Sequence, residues 1–573
     1  MFPESFGLSV FVGTEEITDK VHGDLNVTRE ESAAALCDIT FIPDSGTYDF
    51  SRWHGKTVTV TAFDDTNTWT MYTGRVDIPD VDIINRRITL RCTDNRSERN
   101  NALSDATVSN IGFFSEAVFG EPEDKNDEIE SRLETIPYGW DYSPAGVGRL
   151  TAWEPKATPD YVLSDSSIYR RKPTVEVLSR GRVTNKAVID VSFQYQRLRQ
   201  RTINYTFDSE LGPCYYSSWG LPPTNSQLQQ AINAAGWPNT NYQYTGLDPA
   251  GVYTCQDGDK IAWSTSTTQS EVTTVVDENG NPILDANGNQ QYTASIASQA
   301  DITNVYAQTA SWTASNRWAQ NISEKITVTL TAPQSIAQYG EVSTSASYGE
   351  QSEFDTEGWE DYESYQVAPP DFLTSANGDK YKDETSEGLS RFNDMALCAI
   401  NRAKTKILKE HRDNRVMFET AFWPEIDLSH TVETTGVNIR AKGKVRRIVH
   451  RFDVSNRDSS TEIELALSQS VGSATDTPVS VPTRPVVSDA ANSVNTSISL
   501  GVHTIPEGGT QDDGWAGYIF QRIGTSSQGF PFKRPVSMIV DTPMIDNDRE
   551  TREAESSVEY TVAIRDDLLE IDL

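Results

Sequence analysis

The chain has 573 residues, too many for one hydrophobic core, so about three to five domains are expected. Lysine and arginine total 49 against 83 aspartate and glutamate, a formal charge of −34 spread along the chain. That balance argues against a basic grip on nucleic-acid phosphates, though not against nucleic acid passing close by.

The five cysteines, Cys37, Cys92, Cys214, Cys255 and Cys398, have no Cys-x-x-Cys spacing, which supports neither a disulfide framework nor a zinc knuckle. Cys214 and Cys255 could pair, but a reducing compartment is the simpler expectation. The start has no basic leader and no stretch approaches a membrane span, so a soluble, cytoplasmically made protein is expected.

Residues 1–105 read as β throughout. In "RRITLRCTD" the apolar residues Ile88, Leu90 and Cys92 alternate with Arg87, Thr89, Arg91 and Thr93, the period of a half-buried strand. "KTVTVTAF", "LSVFVG" and "AALCDITFIP" add strands, which suggests a small barrel or sandwich. Residues 106–185 turn to mixed α and β, with a short helix expected in "EDKNDEIESRLETIP". A long strand is expected in "NKAVIDVSFQYQRLRQRTINYTF".

Residues 209–385 are rich in Ser, Thr, Asn, Gln and Trp and read as an inserted domain. "NSQLQQAINAAGW" predicts a helix, the Asn-Gly steps of "VVDENGNPILDANGNQQYT" predict hairpin turns, and the acidic run Tyr348–Tyr365 predicts a solvated loop. The strongest helix is "EGLSRFNDMALCAINRAKTKILKEHR". There Leu389, Phe392, Ala396, Ala399, Ile400, Ala403 and Ile407 form one stripe. Alternation then returns as far as residue 472, and 473–573 is a linker with a last β-rich unit.

Two stretches echo one another. Gly74-Arg75-Val76 precedes a turn and the strand of Ile88, Leu90 and Cys92; Gly443-Lys444-Val445 precedes a turn and the strand of Ile463, Leu465 and Leu467. Upstream, "DFSRWHGKTVTV" stands where "EIDLSHTVETTGVNI" stands in the second. A duplication would give two related β-barrels in one chain, each closing its own sheet.

The order "ITDKVHGDLNVTREESAAALCDITF", "WHGKTVTV" and "YTGRVDIPDVDIINRRITLRCTD" resembles the first domain of the tail hub, or baseplate hub, proteins of tailed bacteriophages. "LSHTVETTGVNIRAKGKVRRIVHRFD" resembles their second barrel, and "VEYTVAIRDDLLEIDL" a C-terminal strand of such chains. The resemblance covers 1–205 and 386–472, with no counterpart for 209–385.

It implies a mainly β, α+β multidomain fold. Two tail-tube-like barrels (1–105; 186–208 with 386–472) would be joined by a bracing domain (106–185), an insert (209–385) and a C-terminal unit (473–573). It further implies a homotrimer at the virion tail tip, assembled in the host cytoplasm, whose six barrels adapt a six-fold tube to a three-fold tip. The implied partners are tail tube, distal tail, tape measure, and tail-tip, central fibre or spike proteins. DNA would leave through the lumen without sequence-specific binding, which an acidic wall would favour.

Against this stand two other readings, a peptidoglycan-degrading tail enzyme and a carbohydrate-binding tail adhesin, prompted by the acidic, Trp-rich insert. Asp77, Asp80, Asp82 and Asp94 crowd the first hairpin but read as solvated faces and turns. "HGKT" (54–57) lacks the phosphate-loop glycine, Phe50 standing in its place. The six histidines, His22, His54, His411, His430, His450 and His503, form no metal-ligand spacing. "GTSSQG" (524–529) lacks the spacing of a nucleophile elbow. Gly280 and Gly288 stand at the wrong position for a calcium loop. The expectation is therefore a structural protein, with no catalytic, cofactor-binding or metal-ligating residue and no cofactor.

Overall fold

The alternating stretches become strands in the computed structural model. It describes residues 6–44, 52–169, 173–177, 183–209, 240–248, 252–254, 260–262, 273–274, 277–279, 281, 292–293, 308–352, 359, 372–374, 380–383, 386–436, 438–456, 458–487, 496–505, 534–542 and 551–572. The expected helix at 225–236, a Cys214–Cys255 bridge, most of the acidic run 348–365, the second Asn-Gly turn and "GTSSQG" lie outside them.

The first unit comprises β1 (Gly7–Val12), β2 (Val21–Glu30), β3 (Leu36–Phe41), β4 (Thr57–Phe63), β5 (Thr68–Asp82) and β6 (Arg87–Thr93). As the alternation requires, Ile88, Leu90 and Cys92 are buried with Val58, Val60, Ile39 and Phe41. The helix α1 (Lys125–Leu133) is capped by Asp124, whose carboxylate accepts from the Asp127 amide, and buries Ile129 and Leu133. A hairpin of β7 (Tyr138–Tyr142) and β8 (Gly148–Ala152) follows, then the short strands β9 (Tyr161–Leu163) and β10 (Thr174–Glu176).

Two 24-residue strands, β11 (Lys186–Ser209) and β12 (Gln308–Thr331), pair antiparallel along their whole length, and β12 lies within the stretch 209–385 expected from sequence to be a separate insert. They anchor a seven-stranded sheet, to which β13 (Ser343–Ser352) adds parallel to β11. The helix α2 (Ser386–His411) lays its predicted stripe on this sheet. Phe392, Ala396, Ala399, Ile400 and Ile407 share a core with Val191, Phe193, Ile326 and Val328. Among the described residues no helix is long and apolar enough to cross a membrane.

The second unit comprises β14 (Asn414–Ala421), β15 (Thr431–Thr434), β16 (Ile439–Asp453) and β17 (Asp458–Leu467). The C-terminal segment ties both sheets. β18 (Arg552–Thr561) runs parallel to β12, Ile564 enters the α2 core, and β19 (Leu569–Ile571) pairs with β16.

The echo is a duplication of four strands, β3-β6-β5-β4 in one unit and β14-β17-β16-β15 in the other, while the neighbours beyond β4 and β15 differ, β1 lying antiparallel to β4 and β9 parallel to β15. Gly74 lies opposite Val58 of β4 and Gly443 opposite Val432 of β15. The register with the following strand slips at Val76/Ile78 in one unit and at Val445/Arg447 in the other. The Val76 amide donates to Lys56 O at 2.9 Å, and the Val445 amide to His430 O at 3.0 Å. Both turns are held the same way: Asp82 accepts from the Asn85 amide, as Asp453 does from the Asn456 amide. The bulges match Leu90 with Ile463 and Cys92 with Leu465, two residues from the pairing of Cys92 with Leu467 expected from sequence, and the turn of the second hairpin lies two residues further along its strand.

The two units are not two closed barrels. Their strands form one open 14-stranded sheet, ordered β10-β14-β17-β16-β2-β3-β6-β5-β4-β1 along its main path. The physical reason is the fate of β2: the edge that would have to close the first unit on itself is bonded to β16 of the second.

Gly74 and Gly443 mark the close approach common to both units. A Cβ on Gly74 would lie 2.4 Å from Thr93 O, and one on Gly443 2.9 Å from Ala466 O. Gly74→Ala should therefore destabilise the fold by about 1–3 kcal/mol, the usual range for overpacking, read as a lowered chemical-denaturation midpoint. An unchanged midpoint would contradict the close approach.

Candidate functional site: the joint and the polar face

The joint runs antiparallel from Arg447 opposite Glu30 to Asp453 opposite Asp24. Further hydrogen bonds extend it at both ends: the Glu31 amide donates to Arg446 O at 2.9 Å and the Val454 amide to Gly23 O at 3.1 Å. Beneath it the units share a core, since Phe422 and Phe452 pack into the first unit's cluster, 4.9 Å apart, with Phe6 4.5 Å from Phe422.

Buried charges pin the joint from the side. Glu31 accepts from Lys444 Nζ at 2.7 Å and is paired with Arg412 at the end of α2; Lys444 also donates to Thr151 Oγ1 of β8 at 2.9 Å. Arg29, which continues the inward phase of Leu25 and Val27, donates to Tyr142 O at 3.2 Å and Asp427 Oδ1 at 3.4 Å. Arg149 pairs with Asp427 as well and with Asp141 at 2.8 Å.

Burial alone pushes the Glu31 carboxyl up, but Arg412 and Lys444 outweigh it and hold its pKa below the ordinary value. Burial likewise opposes ionised Asp427, and Arg29 and Arg149 outweigh it. His450, inside the joint, is pushed down to about 3 by burial and then by Arg29, so its ring is neutral and bonds through Nδ1 to Thr461 Oγ1 at 3.0 Å.

Because paired residues share a face, the register fixes rows that cross the joint. One row is Glu419, Glu462, Val449, Thr28, Leu36, Thr93, Arg75, Thr57. The next is Ala421, Ser460, Arg451, Asn26, Asp38, Arg91, Ile78. These rows lie on the face opposite the core. Together these two rows carry three carboxylates (Glu419, Glu462, Asp38) and three guanidiniums (Arg75, Arg451, Arg91), and the neighbouring rows of the same face add Glu30, Glu464, Asp24, Asp453 and Asp458 against Arg447.

The guanidiniums are paired. Glu462 lies 2.8 Å from Arg451 and 3.5 Å from Arg447, Glu98 3.0 Å from Arg75, and Asp80 3.8 Å from Arg91. Between them stand threonines, Thr40 and Thr89 touching through their hydroxyls at 3.0 Å.

The carboxylates singled out in the sequence do not converge. Asp77, Asp80 and Asp82 are exposed, and Asp82 caps its turn. Asp94 differs from the expectation of a solvated position: it is buried, burial raises its pKa, and its carboxylate accepts from the Arg96 amide at 3.2 Å. "HGKT" forms a turn in which the Gly55 amide donates to Val76 O. Cys37, Cys92 and Cys398 are buried free thiols. Among the described residues no group of three or more His, Cys, Asp or Glu could hold a metal ion.

Sequence reasoning missed Glu31, Arg412, Lys444 and Asp427. The one available signal was Arg29, a charge in the apolar phase of "LNVTRE".

No protein-family model matches the chain, and no curated protein matches it. The chain resembles phage-type tail proteins among solved structures. A tail protein from Neisseria meningitidis MC58 is 8% identical, covers 81% of this chain and 96% of its own, and superposes with a TM-score of 0.35. The 43 kDa tail protein of prophage MuSo2 from Shewanella oneidensis is 10% identical, over 81% of this chain and 98% of that chain, with a TM-score of 0.34. An E. coli type VI secretion component, described as structurally similar to T4 bacteriophage tail proteins, is 7% identical over 98% of this chain and 100% of its own, with a TM-score of 0.28.

The sign of the Glu31 shift sets a pH test. A carboxyl held below its unfolded value stabilises the fold fully above about pH 4.5, and that stability is lost as pH falls through the folded pKa. Glu31→Gln should cost about 3–5 kcal/mol at neutral pH, since Lys444 and Arg412 would lose a buried partner. In denaturation curves the gap to the parent should narrow below about pH 4; a gap independent of pH would contradict this role.

Proposed function

We propose that this chain is a structural, non-enzymatic tail protein, a trimeric tail (baseplate) hub that adapts a six-fold tail tube to a three-fold tail tip and lines the DNA exit channel. The observation that carries the reading is the duplication fused edge to edge: two equivalent tube-like units share one sheet, so three chains would supply six units to a six-fold partner. The single-chain barrels of the sequence expectation are replaced in this proposal by a wall that continues from unit to unit.

The five segments then take separate roles. The units within 1–105 and 386–472 form the wall, 106–185 and the hairpin of β11 and β12 brace its outside, and the rest of 209–385 with 473–573 meets neighbouring tip proteins. Partners are the tail tube, distal tail, tape measure, and central fibre or spike proteins, in a virion assembled in the host cytoplasm.

The polar face suits a passage for DNA. Threonines offer no charge, and an arginine already paired with a carboxylate gains little from a phosphate, so a passing duplex meets no run of free cations to replace its counterions. Mass photometry of the purified protein, alone and with the tail tube protein, tests the ring: a three-chain species supports the reading, and a monomer under both conditions overturns it.

The wall chemistry has its own test in Glu462→Gln, which removes the carboxylate beside Arg447 and Arg451. Duplex DNA binding followed by fluorescence anisotropy should tighten and gain about one to two units of salt dependence, one for each released cation. Unchanged binding would contradict neutralisation by pairing.

A further inference from the structure

We infer that the outer edge of β5 at residues 79–82 is the docking site for residues 174–177 of a second copy of this chain. The inference rests on the ring reading above and names the surface that would close it.

In the second unit, the edge of β16 facing away from β17 carries two neighbours. β15 pairs along 441–444, and β2, arriving from the first unit, pairs along 447–453. In the first unit the equivalent edge of β5 is covered by β4 as far as Arg75, opposite Thr57, and by the backbone of Gly55 and Lys56 at Val76. Beyond that, among the described residues, no strand lies on it. Its apolar residues are exposed: Ile78 is 52% accessible, and Ile83 and Ile84 at the turn are 82% and 92%.

The matching strand is also present. β10 pairs antiparallel with β14 as β2 pairs with β3, and the duplication places Glu176 where Thr28 stands, since Arg415 and Leu36 are the equivalent partners. β10 ends the main path of the sheet, and Val177 beside it is 61% accessible. Among the described residues each copy therefore holds one uncovered receiving edge and one strand of the kind that fills it. Such a head-to-tail contact propagates, and it closes into a ring when the rotation permits.

Transferring the internal register fixes the external one. Arg29–Ile448 becomes Val177–Pro79, Thr28–Val449 becomes Glu176–Asp80, Val27–His450 becomes Val175–Val81, and Asn26–Arg451 becomes Thr174–Asp82. Pro79 has no amide to donate, so this joint has one hydrogen bond fewer than the internal one. The same residue keeps the edge from accepting arbitrary strands. The two acids that meet, Asp80 and Glu176, each have an arginine nearby, Arg91 and Arg415.

Paired cysteines read the register directly. The Glu31 and Val454 bonds put even-numbered residues of β16 in hydrogen-bonded pairs, so Val449–Thr28 is non-hydrogen-bonded, and Asp80–Glu176 inherits that geometry. Such pairs bring Cα atoms to about 4.5 Å, within disulfide range.

Full-length Asp80→Cys/Glu176→Cys, mildly oxidised, should shift on non-reducing gels to two- and three-chain masses, while each single variant and the parent do not. If the double variant forms no inter-chain disulfide although the parent is a three-chain species by mass photometry, the docking edge is wrong and the ring reading stands. A parent that stays monomeric even with the tail tube protein overturns both.

Discussion

The backbone hydrogen bonding between residues 24–30 and 447–453 is the constraint on which the rest of the structure depends. A strand edge with unpaired amides and carbonyls is costly to bury and prone to pair with whatever arrives, so a protein with two similar β units must settle where their edges go. Here β16 of the second unit receives β2 of the first. Each bond contributes only about 1 kcal/mol net, but together they fix register, and register decides which side chains face the core.

From that choice follow the shared core and the buried charges. Phe422 and Phe452 reach the first unit's interior because β16 lies beside β2. Glu31, just past the end of β2, meets Lys444 and Arg412 for the same reason. Desolvating these charges makes the network a source of specificity more than of net stability: any other register would leave a buried charge alone. On the solvated face the same register sets Glu462 between Arg447 and Arg451, joining the mechanical role of the sheet to its electrostatic one.

Local features were legible in the sequence. The alternation of Ile88, Leu90 and Cys92, the stripe from Leu389 to Ile407, and the echo of Gly74-Arg75-Val76 in Gly443-Lys444-Val445 all reappear as strand faces, a helix face and a duplication. The strand after the second turn was offset by two residues because period-two alternation gives the same apolar phase at either register; only the bulge distinguishes them. The joint was not legible, since its partners lie more than 400 positions apart and edge pairing is carried by backbone groups that every residue has. The Glu31 cluster was hidden likewise, Arg29 alone betraying an inward charge. Asp94 shows the converse: it follows an alternating strand as a solvated residue would, yet the Ala35 carbonyl and the Arg96 amide draw it inside.

Cryo-electron microscopy of the purified protein at high concentration tests the central claim most directly, by asking whether one sheet passes without interruption from unit to unit. The account expects a three-fold ring of six similar units around an open axis, with the face bearing Glu462, Arg451, Asn26 and Asp38 turned toward the hole. A particle in which the 24–30 and 447–453 strands are separated, or in which that polar face is buried against another subunit, would contradict it.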